Sequence, residues 1–156
     1  MSALNLPVDI RLARAVDASA IAAMSRDFIE QGLGWSWTTQ RVARSIRDSQ
    51  NNVVTAWDAA RLTGFGIMKY KDEEAHLLLF AVRDSHRRRG IGSALVGWLE
   101  RTALVAGIGV ILLETRTTNE AARAFYGRLG YREIATVPGY YRGVESGVRL
   151  AKDLWA

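Results

Sequence analysis

The chain has 156 residues, 49% of them apolar and 24% charged, the balance of one folded domain with a single core. It has no cysteine and only two histidines, His76 and His86, which excludes disulfides, thiolate metal sites and a cysteine nucleophile and argues against a histidine metal site. With 21 basic and 16 acidic residues the net charge is +5, a surplus that suits an anionic ligand, either nucleic acid or a cofactor carrying several phosphates.

No apolar run approaches the roughly 20 residues needed to cross a bilayer, and Met1 to Pro7 lacks the basic-then-apolar pattern of a secretory signal. The expectation is a cytoplasmic protein with no membrane partner. No repeat, low-complexity tract or linker divides the chain, so residues 1–156 are expected to form a single domain.

Val8 to Ala13 alternates as a first strand. Asp17 is placed to cap a helix running to about Gln31 and stopping at Gly32, with Ile21, Met24, Phe28 and Ile29 on its apolar face. Gly32 to Trp37 is a loop carrying Trp35 and Trp37. Thr38 or Thr39 starts a second helix. Asn51 to Trp57, Leu62 to Tyr70 and Ala75 to Val82 read as three strands joined by short turns, hence antiparallel neighbours. A helix begins near Gly90 and carries Ile91, Leu95, Trp98 and Leu99 at helical spacing. Val110 to Leu113 is a short buried strand. Asn119 to Leu129 is a helix stopped by Gly130, and Tyr131 to Val137 and Val144 to Leu154 are the closing strands. Ala75 to Thr115 forms one β-α-β crossover, so those two strands should be parallel and the sheet mixed.

The basic surplus is focused at one place. Arg87-Arg88-Arg89-Gly90-Ile91-Gly92 follows a strand and opens a helix. A helix start offers unbonded N–H groups and a partial positive charge, and glycines allow close backbone approach to phosphate. Arginines add charge-assisted contacts. The segment lacks the Lys-Ser/Thr of a P-loop and has Leu95 where a dinucleotide fingerprint needs a small residue. Solvated arginines at a glycine-rich helix start are the plainer alternative.

The spacing Arg87-x-x-Gly90-x-Gly92 resembles the pyrophosphate loop of the GNAT superfamily of acyl-CoA-dependent N-acyltransferases. Asn119-Glu-Ala-Ala-Arg-Ala-Phe-Tyr126-Gly-Arg-Leu-Gly130-Tyr131 resembles the family's second signature, and Ile-Leu-Leu-Glu114-Thr-Arg resembles a strand of the bacterial ribosomal-protein N-terminal (alanine) acetyltransferase group. The resemblance implies an α/β (α+β) GNAT-like fold: a mixed sheet of six to seven strands flanked by about four helices, in the order β-α-α-β-β-β-α-β-α-β-β.

It further implies acetyl-CoA as co-substrate, with no metal, and a direct ternary-complex transfer to a primary amine. Arg87, Arg88, Arg89, Gly90, Ile91, Gly92 and Ser93 would hold the cofactor, with Asn119 and the backbone of Phe80, Ala81 and Val82 along its arm. The Val82 N–H would face the thioester oxygen. Glu114 would act as general base and Tyr126 as proton donor to the leaving thiolate. Trp35, Trp37, Tyr140 and Tyr141 would wall the acceptor site. Each residue also has a structural alternative: a salt bridge from Glu114 to Arg116 or Arg123, core packing for Tyr126, an N-cap for Asn119, and loop anchoring for the four aromatics.

The acceptor stays open between a protein N-terminal α-amine and a polyamine, amino acid or antibiotic. An α-amine, with a reference pKa of about 7.7–8.0 against about 10.4 for lysine, asks less of a single carboxylate base. A non-catalytic acyl-CoA sensor is a reading of another class. A nucleic-acid-binding module is not expected, and either a monomer or a homodimer fits.

Overall fold

A computed structural model of the chain describes residues 8–83, 86 and 90–156. Its strands are β1 (Asp9–Leu12), β2 (Asn51–Asp58), β3 (Arg61–Tyr70), β4 (Glu74–Val82), β5 (Val110–Arg116), β6 (Arg132–Tyr141) and β7 (Glu145–Asp153). They form one seven-stranded sheet in the order β1-β2-β3-β4-β5-β7-β6. Among the described residues only the β4–β5 pair is parallel, as a crossover through a helix requires. The helices are α1 (Ala18–Met24), α2 (Thr39–Arg47), α3 (Ile91–Val105) and α4 (Glu120–Arg128). The mixed α/β architecture and its element order agree with the sequence expectation.

The two sheet faces carry separate cores. On one, Ile21 and Met24 of α1 and Val42 of α2 pack against Phe65, Ile67 and Leu79. On the other, Leu95 and Leu99 of α3 and Tyr126 of α4 pack against Leu77, Ile111, Leu113 and Leu150.

Four local expectations are corrected. The first helix is not continuous from Asp17: a 3-10 turn (Ala15–Asp17) precedes α1 and a π-helical turn (Ser25–Ile29) follows it. Asp17 does not cap α1 with its side chain. Its Oδ2 accepts the Arg14 N–H at 2.8 Å instead, closing the entry turn. β5 runs on through Glu114, Thr115 and Arg116, beyond the apolar run, because those residues pair with Arg149, Val148 and Gly147 of β7. Tyr140 and Tyr141 end β6 rather than lying in a connection. A register shift between Val137 and Tyr141 absorbs Pro138 and Gly139, the residues that break the sequence pattern.

One irregularity positions the site. Met68 of β3 faces Leu77, and its neighbour Ile67 faces Leu79, so Leu78 is an extra residue in β4. Such a bulge bends a strand and increases its twist. β4 pairs with β5 only from Glu74↔Val110 to Leu77↔Leu113, and the pairing stops where the bulge begins. The carboxyl ends of β4 and β5 therefore diverge. The bulge also exchanges the faces of β4: Ala75 and Leu77 belong to the α3–α4 core, while Leu79 and Ala81 belong to the α1–α2 core.

Candidate active site

The divergence leaves a gap in the sheet between the end of β4 and β5, with α3 and α4 on one face. The Arg83 N–H donates to Thr63 O at 2.7 Å, which fixes the alternation of the β3–β4 ladder. Ala81, opposite Phe65 in the same phase, turns its own N–H and C=O toward β3. Phe80 and Val82 turn theirs toward the gap. Of the three residues expected along a cofactor arm, two thus aim their backbone at it and Ala81 does not.

Gly90 precedes α3 with φ +78° and offers no side-chain cap. The first bond of the helix runs from the Ala94 N–H to Gly90 O, so the N–H groups of Ile91, Gly92 and Ser93 belong to its open first turn. That is the donor set a pyrophosphate would use. Arg87, Arg88 and Arg89 lie outside the described residues. Gly92 has a packing role that the sequence did not announce. A Cβ there would lie 3.0 Å from the Phe125 ring and 3.6 Å from Val82 Cγ2, so the missing side chain lets α3 close onto α4 and β4.

Glu114 stands on β5, one residue beyond the last β4–β5 pair. Its side chain is only 3% exposed. Arg149 Nε donates to Oε2 at 2.7 Å, and the Tyr140 hydroxyl donates to Oε1 at 2.9 Å. His76 Nε2 lies 2.5 Å from Oε1. Burial alone would raise the Glu114 pKa. The hydrogen bonds from His76, Arg149 and Tyr140 together outweigh burial and hold it below the ordinary carboxylate value. The same cluster raises the Tyr140 phenol to about 12, through burial first and the Glu114 charge second. Neither Arg116 nor Arg123 is the partner of Glu114. Arg116 bonds Glu145 at 2.6 Å and Arg123 bonds Glu133 at 2.8 Å.

Tyr126 sits on the opposite face, 6% exposed, with its ring against Phe80, Phe125 and Tyr131. The packing and donor alternatives are compatible. The ring is core, and its hydroxyl has no hydrogen-bond partner among the described residues. Burial, and then the nearby Tyr141, push its pKa well above the ordinary phenol range, so it stays protonated. Asn119 is an N-cap: its Oδ1 accepts the Ala122 N–H at 3.0 Å.

The expected acceptor aromatics are distributed around the Glu114 face. Trp35 Nε1 donates to Ala22 O at 3.2 Å, and the Arg41 guanidinium lies 3.7 Å over the Trp37 ring. Their loop is held by Glu30, which sequence reasoning missed. Its buried carboxylate accepts from Ser25 Oγ, from Ser36 N–H and Oγ, and from the Trp37 N–H. Arg116 was also missed as a tie. From β5 it donates to Ile29 O and Gln31 O, both at 2.8 Å, while bonding Glu145 of β7. Tyr140 and Tyr141 meet edge to face at 4.9 Å beside this tie. Among the described residues no group of acidic or histidine side chains could hold a metal ion.

A gap between two diverging parallel strands, an open helix start beside it and a polar cluster at the strand end describe an acyltransferase-like cleft. The Acetyltransferase (GNAT) family model matches residues 21–131, and the chain belongs to that family. It is 34% identical over 93 residues to an uncharacterised N-acetyltransferase of Methanocaldococcus jannaschii, a stretch covering 59% of this chain and 60% of that one. It is 33% identical over 81 residues to the ribosomal protein bS18 alanine N-acetyltransferase of Escherichia coli, covering 52% of this chain and 55% of that one. The aligned stretches thus span less than two thirds of these curated relatives. Among solved structures, Ard1 of Thermoplasma volcanium superposes with a TM-score of 0.84 at 24% identity, over 95% of this chain and 98% of that one. NAA60 of Arabidopsis thaliana, solved in complex with acetyl-CoA, gives 0.83 at 15% identity over 96% and 99%. At these identities the two structures attest the shared fold.

Proposed function

We propose that the chain, acting as one catalytic domain, transfers the acetyl group of acetyl-CoA to a primary amine by direct attack in a ternary complex. The observation that carries this is the bulge-opened gap, with the Glu114 cluster on one face and, on the other, the Tyr126 hydroxyl, which has no hydrogen-bond partner among the described residues. Backbone N–H groups of the first turn of α3, together with Arg87, Arg88 and Arg89, hold the cofactor's phosphates. Phe80 and Val82 bond its arm, and Asn119 contacts it while capping α4.

The amine enters from the face bearing Trp35, Trp37, Tyr140 and Tyr141. Its lone pair forms a bond to the thioester carbon, and backbone N–H groups of β4 stabilise the oxyanion. The amine's proton leaves toward the Glu114 cluster. The C–S bond breaks, and the Tyr126 hydroxyl gives its proton to the departing thiolate. Burial keeps that hydroxyl protonated until a thiolate appears beside it.

An N-terminal α-amine is the favoured acceptor. Similarity to the E. coli bS18 alanine N-acetyltransferase supports it, and so does its lower reference pKa. Two assays test this. Acetyl-CoA at about 100 times its dissociation constant should stabilise the fold by roughly 2.7 kcal/mol, which is read as a thermal shift. Peptides with a free alanine N-terminus should then be acetylated faster than spermidine, free amino acids or aminoglycosides. Preference for a small amine overturns the acceptor assignment. Binding without turnover on any amine makes the chain an acyl-CoA sensor.

A further inference from the structure

The Glu114 carboxylate is poorly placed to meet an amine itself. Its side chain is 3% exposed, and both oxygens are engaged: Oε1 by His76 and Tyr140, Oε2 by Arg149. The imidazole beside it is 24% exposed. An ionised carboxylate can only accept, so the short contact between His76 Nε2 and Oε1 fixes the tautomer: Nε2 carries the hydrogen and donates it. Nδ1 then carries the free lone pair, and it has no hydrogen-bond partner among the described residues.

The sheet explains why the two residues meet. In the parallel register His76 faces Leu112, and Glu114 lies two residues further along β5 on the same face. His76 also precedes the Leu78 bulge, so it still points to that face, whereas Phe80 beyond the bulge points to the other. One strand thereby presents an imidazole to the acceptor face and an aromatic to the Tyr126 face.

We propose that His76 Nδ1 is the atom that takes the proton from the acceptor amine, with Glu114 as the positioning carboxylate that fixes its tautomer and balances its charge. The arrangement follows the logic of carboxylate–histidine pairs in general base catalysis. The amine nitrogen forms its bond to the acetyl carbon, the resulting N–H proton passes to Nδ1, and the thiolate takes the proton of Tyr126. His76 and Tyr126 then exchange one proton each with solvent, so the sum is one proton moved from nitrogen to sulfur. The groups facing His76 are Glu114 of β5, Lys69 opposite on β3, and Glu74 on its own strand. Arg149 and Tyr140 act through Glu114.

The inference rests on the acetyltransferase reading above, so the wild-type chain is assayed first, with acetyl-CoA and an alanine-initiated peptide, then with small amines. No turnover on any amine removes that reading and this inference with it. With turnover established, His76→Gln is compared across pH. Glutamine keeps a donor for Glu114 and cannot titrate. The expected result is a fall in kcat of about 10²–10⁴-fold with the KM for acetyl-CoA and the thermal midpoint nearly unchanged. The acid limb of log kcat/KM should drop from a slope of about two, for amine and imidazole together, to about one, for the amine alone. Added imidazole should restore turnover to His76→Ala, as a purely structural role would not allow. His76→Gln turnover within about twofold of wild type, with the limb unchanged and no imidazole rescue, overturns the proposal and leaves the acetyltransferase reading standing.

Discussion

Arg149 and Glu114 face each other directly in the β5–β7 register, and the guanidinium binds the carboxylate at 2.7 Å. The antiparallel ladder sets this pair. It carries a charge to the point where β4 leaves β5, and it keeps that charge ionised. Because the folded-state pKa of Glu114 is lowered, its contribution to stability is present above the unfolded carboxylate value of about 4.3. The contribution is lost as pH falls through the folded value. Glu114→Gln should therefore unfold at lower denaturant than wild type at neutral pH, by on the order of 1–3 kcal/mol. The difference should narrow on acidification below about pH 4. A deficit that does not change with pH contradicts the ionised pair.

Tyr126→Phe removes a hydroxyl that bonds nothing within the described protein. Stability should be unchanged or slightly raised. Turnover should drop by about 10²-fold or more, with little loss of acetyl-CoA affinity. Because the phenol pKa is raised, the wild-type rate should show no basic limb from this residue below its ordinary value of about 10. Unchanged kcat at saturating substrates removes the donor role.

Gly92→Ala puts a methyl 3.0 Å from the Phe125 ring, which is stacked at 6.0 Å on Phe80. The ring must shift, and the expected cost is about 1–3 kcal/mol. The loss should appear in denaturant unfolding without any ligand, which separates a packing role from a cofactor role.

Glu30→Gln weakens the set of bonds that holds the loop of Trp35 and Trp37. Burial opposes the ionised form of Glu30, but bonds from Ser36, Ser25 and Trp37 outweigh it and lower its pKa. The variant should raise the KM of the acceptor severalfold while leaving that of acetyl-CoA in place. An equal change in both would mean that the loop serves the whole fold rather than the acceptor face.

The layout was legible in the sequence where periodicity and punctuation agree. The three antiparallel strands from Asn51 to Val82, the crossover through α3 and the Asn119 cap are such places. The Leu78 bulge was not legible, because Leu77, Leu78 and Leu79 are all apolar and an exchange of faces leaves no mark in a leucine run. His76 was hidden for another reason: its place on the Glu114 face comes from its pairing with Leu112 of β5, which only the folded sheet fixes. Glu114 was legible through the resemblance of Ile-Leu-Leu-Glu114-Thr-Arg to a strand of a known enzyme group. Its true partner Arg149 lies 35 residues away in sequence and is set by the β5–β7 register, which only the folded sheet fixes. The tie from Arg116 to Ile29 O and Gln31 O spans still more chain and ends on backbone carbonyls, which carry no sequence signal. The segment Arg87–Gly92 pointed to phosphate on chemistry alone. The structure adds the open first turn of α3 behind it and a packing reason for Gly92.

We propose transfer from acetyl-CoA to an amine at the gap between β4 and β5. Its most direct test is mass spectrometry of an alanine-initiated peptide incubated with acetyl-CoA and the purified chain, run beside Tyr126→Phe and Glu114→Gln. The expected result is one acetyl group on the peptide α-amine with the wild type, free coenzyme A in equal amount, and strongly reduced rates with both variants. Wild-type binding of acetyl-CoA with no acetylated product, on this peptide or on any small amine, would contradict it.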